Sequence, residues 1–184
     1  MADYKRERKH RPKPPQLLPA FRFEITLLRS AQIVAESTAW LDLILSSAGE
    51  TLGDGGFQEC SGLEVEMDVQ EYLEGGRNDG VIRRVGRAKY SNIVLKRGMF
   101  YGDDAQASRQ LWEWLQGVVA GKRPIARYDG IVQVRDAAGT TVATWAFDRG
   151  LPAKIRGPEL NAKTGEVAIE ELHIAHEGLR MIKS

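Results

Sequence analysis

The sequence predicts a mainly β fold, an antiparallel β-barrel or sandwich with one flanking α-helix and a long β-ribbon. Three observations predict it. Most apolar runs alternate with polar residues at a period of two, which describes strands with one dry and one wet face. Glycine-containing turn clusters separate those runs at short intervals. Only one stretch, Asp103 to Ala120, repeats its apolar residues at steps of three and four. About six or seven strands and one helix follow, which suits a sandwich or barrel with the helix packed on its side.

Taken in order, Met1 to Pro19 carries Lys5, Arg6, Arg8, Lys9, Arg11 and Lys13 among prolines with almost no apolar residues, and is expected to be a disordered basic arm outside the β domain of residues 20–184. In Phe21 to Leu28, Phe21, Phe23, Ile25 and Leu27 alternate as in a strand. Ser30 to Gly56 has apolar runs at Ala31 to Ala35 and Trp40 to Leu45 without a clean period, and leaves a hairpin and a short helix both open.

The ribbon comes next. Leu63, Val65, Met67 and Val69 alternate with Glu64, Glu66, Asp68 and Gln70, so the dry face is apolar and the wet face acid-rich. Glu74-Gly75-Gly76-Arg77-Asn78 supplies the positive φ angles and small volume of a reversal. A polar loop is expected from Asn78 to Arg87, and the returning strand through Lys89 to Gly98, centred on Ile93 to Lys96. On the helix, Leu111, Trp112, Leu115 and Val118 form the predicted core face, with Trp114 toward its edge; Asp103 or Asp104 caps it, and Gly121 and Pro124 end it. Ile131 to Arg135 and Thr141 to Phe147 form a hairpin across Asp136 to Gly139. Leu151-Pro152 and Gly157-Pro158 punctuate the chain before a last strand, Val167 to Ala175, whose alternation slips at Glu170-Glu171 and calls for a β-bulge.

Length and charge bound the function. The chain has 184 residues, the size of one domain with one core, and its 26 basic and 25 acidic side chains nearly cancel, so any charge logic is local. Cys60 is the only cysteine, which excludes an internal disulfide and a cysteine zinc cluster and fits a reducing cytoplasm. The prolines after the basic start leave no room for an export signal, and no run approaches the ~18 apolar residues of a membrane helix, so assembly in the cytoplasm without membrane insertion is expected.

Familiar site chemistry is missing. Gly53 to Gly56 leads into no Lys-Ser or Lys-Thr helix, and Gly75-Gly76 lies within the ribbon, so neither is a phosphate cradle. His173 and His176, three apart in a strand, point to opposite faces unless the bulge intervenes, and no third ligand of suitable type sits at a helpful spacing. Cys60 has no recognisable base beside it. Glu64 and Glu66 lie roughly 7 Å apart on one face, a spacing a hydrolytic pair can use. Asp68 extends their row, however, into what looks like a charged surface. No catalytic residue, cofactor site or metal site is assigned.

The order Phe57-Gln58-Glu59-Cys60-Ser61-Gly62-Leu63, Glu71 to Gly76, Asn92 to Gly98, Trp112 to Leu115, Trp145-Ala146-Phe147, Pro152-Ala153-Lys154, Gly157-Pro158 and Ala168 to Leu179 resembles the tail-tube proteins of contractile-tailed phages and phage-tail-like contractile injection systems, a family related in fold to haemolysin-coregulated protein. The resemblance spans roughly Phe21 to Leu179. It implies a protomer that closes with five others into a hexameric ring. Stacked rings then make a hollow tube inside a sheath, on a baseplate or spike hub, as a conduit for DNA or protein cargo, with no enzyme activity. It implies that one face of each ribbon lines the lumen; we assign that face to Glu64, Glu66, Asp68 and Gln70, which would line the bore with acid, and the loop of Glu74, Gly75, Gly76, Arg77 and Asn78 would then meet the next ring or the adjacent protomer. Relative to the family, residues 30–55 form an insertion and the basic arm is additional. Both features raise the alternative of a baseplate-proximal ring that initiates the tube or joins it to the spike.

Overall fold

The computed structural model describes residues 22–30, 52, 56–76, 79–99, 106–161, 163 and 165–182. The basic arm, nearly all of the 30–55 insertion, the candidate caps Asp103 and Asp104, and Arg77 and Asn78 of the ribbon turn lie outside these residues.

The described residues form nine strands and one helix: β1 (Phe23–Arg29), β2 (Glu59–Ser61), β3 (Val65–Tyr72), β4 (Ile82–Tyr90), β5 (Ile93–Gly98), α1 (Gln106–Val119), β6 (Tyr128–Arg135), β7 (Thr141–Arg156), β8 (Ile169–Ala175) and β9 (Gly178–Ile182). The body is one antiparallel sheet in the order β1-β6-β7-β8-β5-β2, with β9 on β7, and β3 and β4 make a separate two-stranded sheet. The 16-residue β7 holds the body together. Its first half pairs with β6 and β9, and its second half with β8. The change of partner falls at Arg149, whose φ of 54° is a bend few non-glycine residues adopt, and Gly150. A Cβ on Gly150 would stand 2.7 Å from Ile174 and 2.8 Å from the Tyr128 carbonyl, so this corner closes only around a glycine.

Inward residues of β1, β5, β6, β7 and β8 meet α1 in one core containing Leu27, Ile93, Leu95, Leu111, Trp114, Tyr128, Phe147, Leu172 and Ile174. Each such side chain contributes about 1.5–3 kcal/mol on burial. Phe147 is fully enclosed because Gly130 opposite has no side chain: a Cβ there would lie 2.1 Å from its ring.

Four expectations are corrected. The ribbon's return strand is β4, running through the stretch read as a polar loop, while Ile93 to Gly98 is β5 and pairs with β2 and β8 in the body. No bulge interrupts Glu170-Glu171: β8 pairs with β5 in continuous register, and Glu170 faces inward beside Leu172 and Ile174 because it has a buried partner in Arg97. Pro152 does not end a strand; it lies within β7 at a register shift, where its missing N–H is tolerated. β9, after the last expected strand, was not anticipated.

Candidate assembly surface

The β3–β4 ribbon is held at its root. Gly62, at φ +83°, lets the chain pass the Asn92 carbonyl, which a Cβ would approach to 2.0 Å. The Glu64 carboxylate accepts a hydrogen bond from Ser91 Oγ at 3.1 Å. His176 has a backbone carbonyl at each ring nitrogen, Gly178 O at 2.9 Å and Ser91 O at 3.0 Å, and its ring lies 5.3 Å from Tyr90 and 5.6 Å from Phe147. It therefore ties the ribbon to the β8–β9 turn.

Beyond the root, every residue of β3 is exposed. Its dry face stays uncovered, with Val65 at 47 %, Met67 at 45 %, Val69 at 55 % and Val85 of β4 at 73 %. A row of exposed apolar side chains, on a sheet whose outer edges are both unpaired among the described residues, is a surface that needs a partner.

The opposite face carries Glu64, Glu66, Asp68 and Gln70, but it is not acidic throughout. Lys89 stands opposite Glu66, Arg84 opposite Gln70, and Gly86 with Arg87 opposite Asp68, where β4 bulges by one residue. Directly opposed residues share a face, so an acidic file on β3 runs beside a basic file on β4. The Arg84 guanidinium lies 4.7 Å from the centre of the Tyr72 ring. On the other face Arg83 and Glu71 pair at 3.5 Å, both well exposed. Glu74, Gly75 and Gly76 are exposed at the tip, Gly76 with a φ of 91°.

Other predicted residues lie in the body. Leu111 is buried and Trp112, Leu115 and Val118 are half-buried. The two tryptophans exchange their expected places: Trp114 is 5 % exposed, packs edge-on against Tyr128 and donates from Nε1 to Ala126 O at 2.9 Å. Trp112 instead donates from Nε1 to Glu170 Oε2 at 3.3 Å. Glu170 also accepts from Arg97 Nε at 2.7 Å and Ser108 Oγ at 3.0 Å, so one buried carboxylate joins β5, β8 and α1. Sequence reasoning missed it; an acid in the phase of Leu172 and Ile174 is the signal that could have found it.

The remaining chemical candidates are engaged structurally. His173 pairs with Glu171, and this hydrogen bond holds the Glu171 carboxyl below its usual range. Burial, with the nearby Glu59 charge, pushes the Cys60 thiol up to about 11, which makes it a poor nucleophile. Asp148 is raised by burial despite Arg180 at 2.6 Å. Among the described residues no group of three metal-binding side chains occurs, and no helix is long and apolar enough to cross a membrane.

The family model described as T4-like virus tail tube protein gp19 matches residues 19–180. Among solved structures, the chain is similar to one in the 6-fold symmetrised anti-feeding prophage baseplate, with 18 % identity over 92 % of this chain and 98 % of that chain and a TM-score of 0.69. It is also similar to a chain of the PVC sheath-tube complex in the extended state, with 20 % identity, 94 % coverage of each and a TM-score of 0.68. The third is a chain of the anti-feeding prophage cap, a tube-terminating cap, with 20 % identity, 95 % and 97 % coverage and a TM-score of 0.69. At these identities the likeness is one of fold. Among curated proteins none matches.

Proposed function

Since the chain belongs to the T4-like virus tail tube protein family, whose model spans residues 19–180, we propose that it is a structural subunit of the inner tube of a contractile tail or injection particle, acting as a homohexameric ring that stacks into a hollow conduit. The observation that carries this reading is the ribbon, among the described residues a two-stranded sheet with both edges open and its apolar face exposed. Such a surface is an aggregation hazard in a free monomer, and a cyclic head-to-tail contact covers it in every copy.

In the ring, the face bearing Glu64, Glu66, Asp68 and Gln70 lines the lumen, and the Met67 face turns toward protein. The lining is then striped, with Arg84, Arg87 and Lys89 beside the acids, instead of uniformly acidic. The tip from Glu74 to Asn78 meets the next ring or adjacent protomer. A sheath surrounds the tube, a baseplate or spike hub seats it, and a protein or DNA passes through it. The subunit performs no catalytic step and needs no cofactor.

Electron microscopy of the purified chain tests the proposal. Rings with six-fold symmetry that stack into tubes are expected, and monomers alone at high concentration would count against it. The second reading, a baseplate-proximal adaptor ring, rests on the long segment from Ser30 to Gly55, which is additional relative to the family. It predicts single rings that never stack.

A further inference from the structure

The charges of the ribbon are sorted by strand. β3 contains Glu66, Asp68 and Glu71 and no basic residue; β4 contains Arg83, Arg84, Arg87 and Lys89 and no acidic one. The sorting does not follow the faces: Glu66 and Asp68 share one face while Glu71 lies on the other, and Lys89 and Arg84 are likewise separated from Arg83. Whichever face is considered, one edge of the ribbon is negative and the other positive. Among the described residues both edges are open, and Glu66, Asp68, Arg87 and Lys89 make no ion pair.

We propose that this segregation dictates how one copy joins the next: the β3 edge of one chain adjoins the β4 edge of its neighbour, and β3–β3 or β4–β4 contacts are rejected. The inference rests on the ring reading above. Backbone geometry alone does not choose. Rotation about an axis along the strands brings β4 beside the next β3 in antiparallel sense, since β3 and β4 are themselves antiparallel. A two-fold axis through the sheet brings β3 beside its own copy, also antiparallel, and every hydrogen bond could form either way. Charge separates the two. The two-fold contact sets Glu66, Asp68 and Glu71 against their own copies, and like charges across adjoining strands repel. The cyclic contact gives each acidic strand a basic strand on both sides, a selection made by repulsion as much as by attraction. The neighbour that fits the open β3 edge is therefore a second copy of this chain, offered by its β4 edge.

A mixing experiment tests the code. An inverted chain carries Glu66→Lys, Asp68→Lys and Glu71→Lys with Arg83→Glu, Arg84→Glu, Arg87→Glu and Lys89→Glu, which preserves attraction within its own ribbon. Wild-type and isotopically labelled inverted monomers are mixed at low salt, and the rings are weighed by native mass spectrometry. All-wild-type and all-inverted rings are expected, with mixed rings at least about tenfold below the binomial share, and the deficit should shrink as salt rises. Mixed rings at the binomial share would overturn the inference and leave the ring reading intact. Wild-type chains that form no ring would overturn both. Should the sevenfold variant not fold, Glu66→Lys with Lys89→Glu, one opposed pair, is expected to show a smaller deficit of the same sign, and free mixing there has the same adverse meaning.

Discussion

Glu170 occupies an inward position of β8 between apolar neighbours, and its charge is tolerable because Arg97, Ser108 and Trp112 all donate to it. Arg97 and Glu170 are 1 % and 3 % exposed, so removing one partner leaves the other charge buried and uncompensated. Glu170→Ala is expected to cost about 3–5 kcal/mol in urea unfolding. Arg97→Met with Glu170→Leu should cost less than Glu170→Ala alone, because the double change leaves no orphaned charge. Cys60 makes a second prediction at this scale. With its thiol pushed up to about 11, the folded protein holds it protonated at neutral pH. Alkylation by iodoacetamide at pH 8 should run roughly two orders of magnitude slower than for a free cysteine and recover in urea.

At the scale of elements, the ribbon and the body are built on different terms. The body's strands bury one face in a shared core, while β3 buries neither. Excising residues 64–90 and bridging the gap with a short Gly-Ser turn is expected to leave the body folded, with circular dichroism showing a cooperative transition and α1 intact. Native mass spectrometry should then find monomers in place of the proposed rings. Loss of the cooperative transition would mean that the ribbon also supports the core.

The element missed between Asn78 and Arg87 was hidden by its own geometry. Val85 and Ala88 face the same way although they are three apart, because Gly86 and Arg87 together oppose Asp68. A one-residue bulge breaks the period of two on which strand reading depends. The Trp112 and Trp114 exchange has a similar origin. Both positions border the apolar stripe of a helix, and which one enters the core depends on how α1 is rolled against the sheet. That roll is shown by Tyr128 and the Ala126 carbonyl on one side and Glu170 on the other.

For the whole molecule, the near cancellation of 26 basic and 25 acidic residues conceals a strongly polarised arrangement: an acidic strand, a basic strand and a basic first segment. If Lys5, Arg6, Arg8, Lys9, Arg11 and Lys13 contact an acidic surface of a neighbour, deleting residues 1–15 should flatten the salt dependence of assembly measured by light scattering. An unchanged salt profile would mark the segment as a tail without a part in assembly.

Alternation, glycine placement and the single helical period were local signals, and by themselves they determined the β class, the reversal beginning at Gly75-Gly76, the β6–β7 hairpin and the apolar and polar faces of β3. Periodicity survives in the sequence wherever a strand is regular and half-buried. Only the tertiary structure decided that β4 and not β5 completes the ribbon, that Glu170 points inward, and that a basic file flanks the acidic one. Each of these depends on which residue of a distant strand stands opposite. Register is a property of two segments held together by the fold, and no window of sequence contains it.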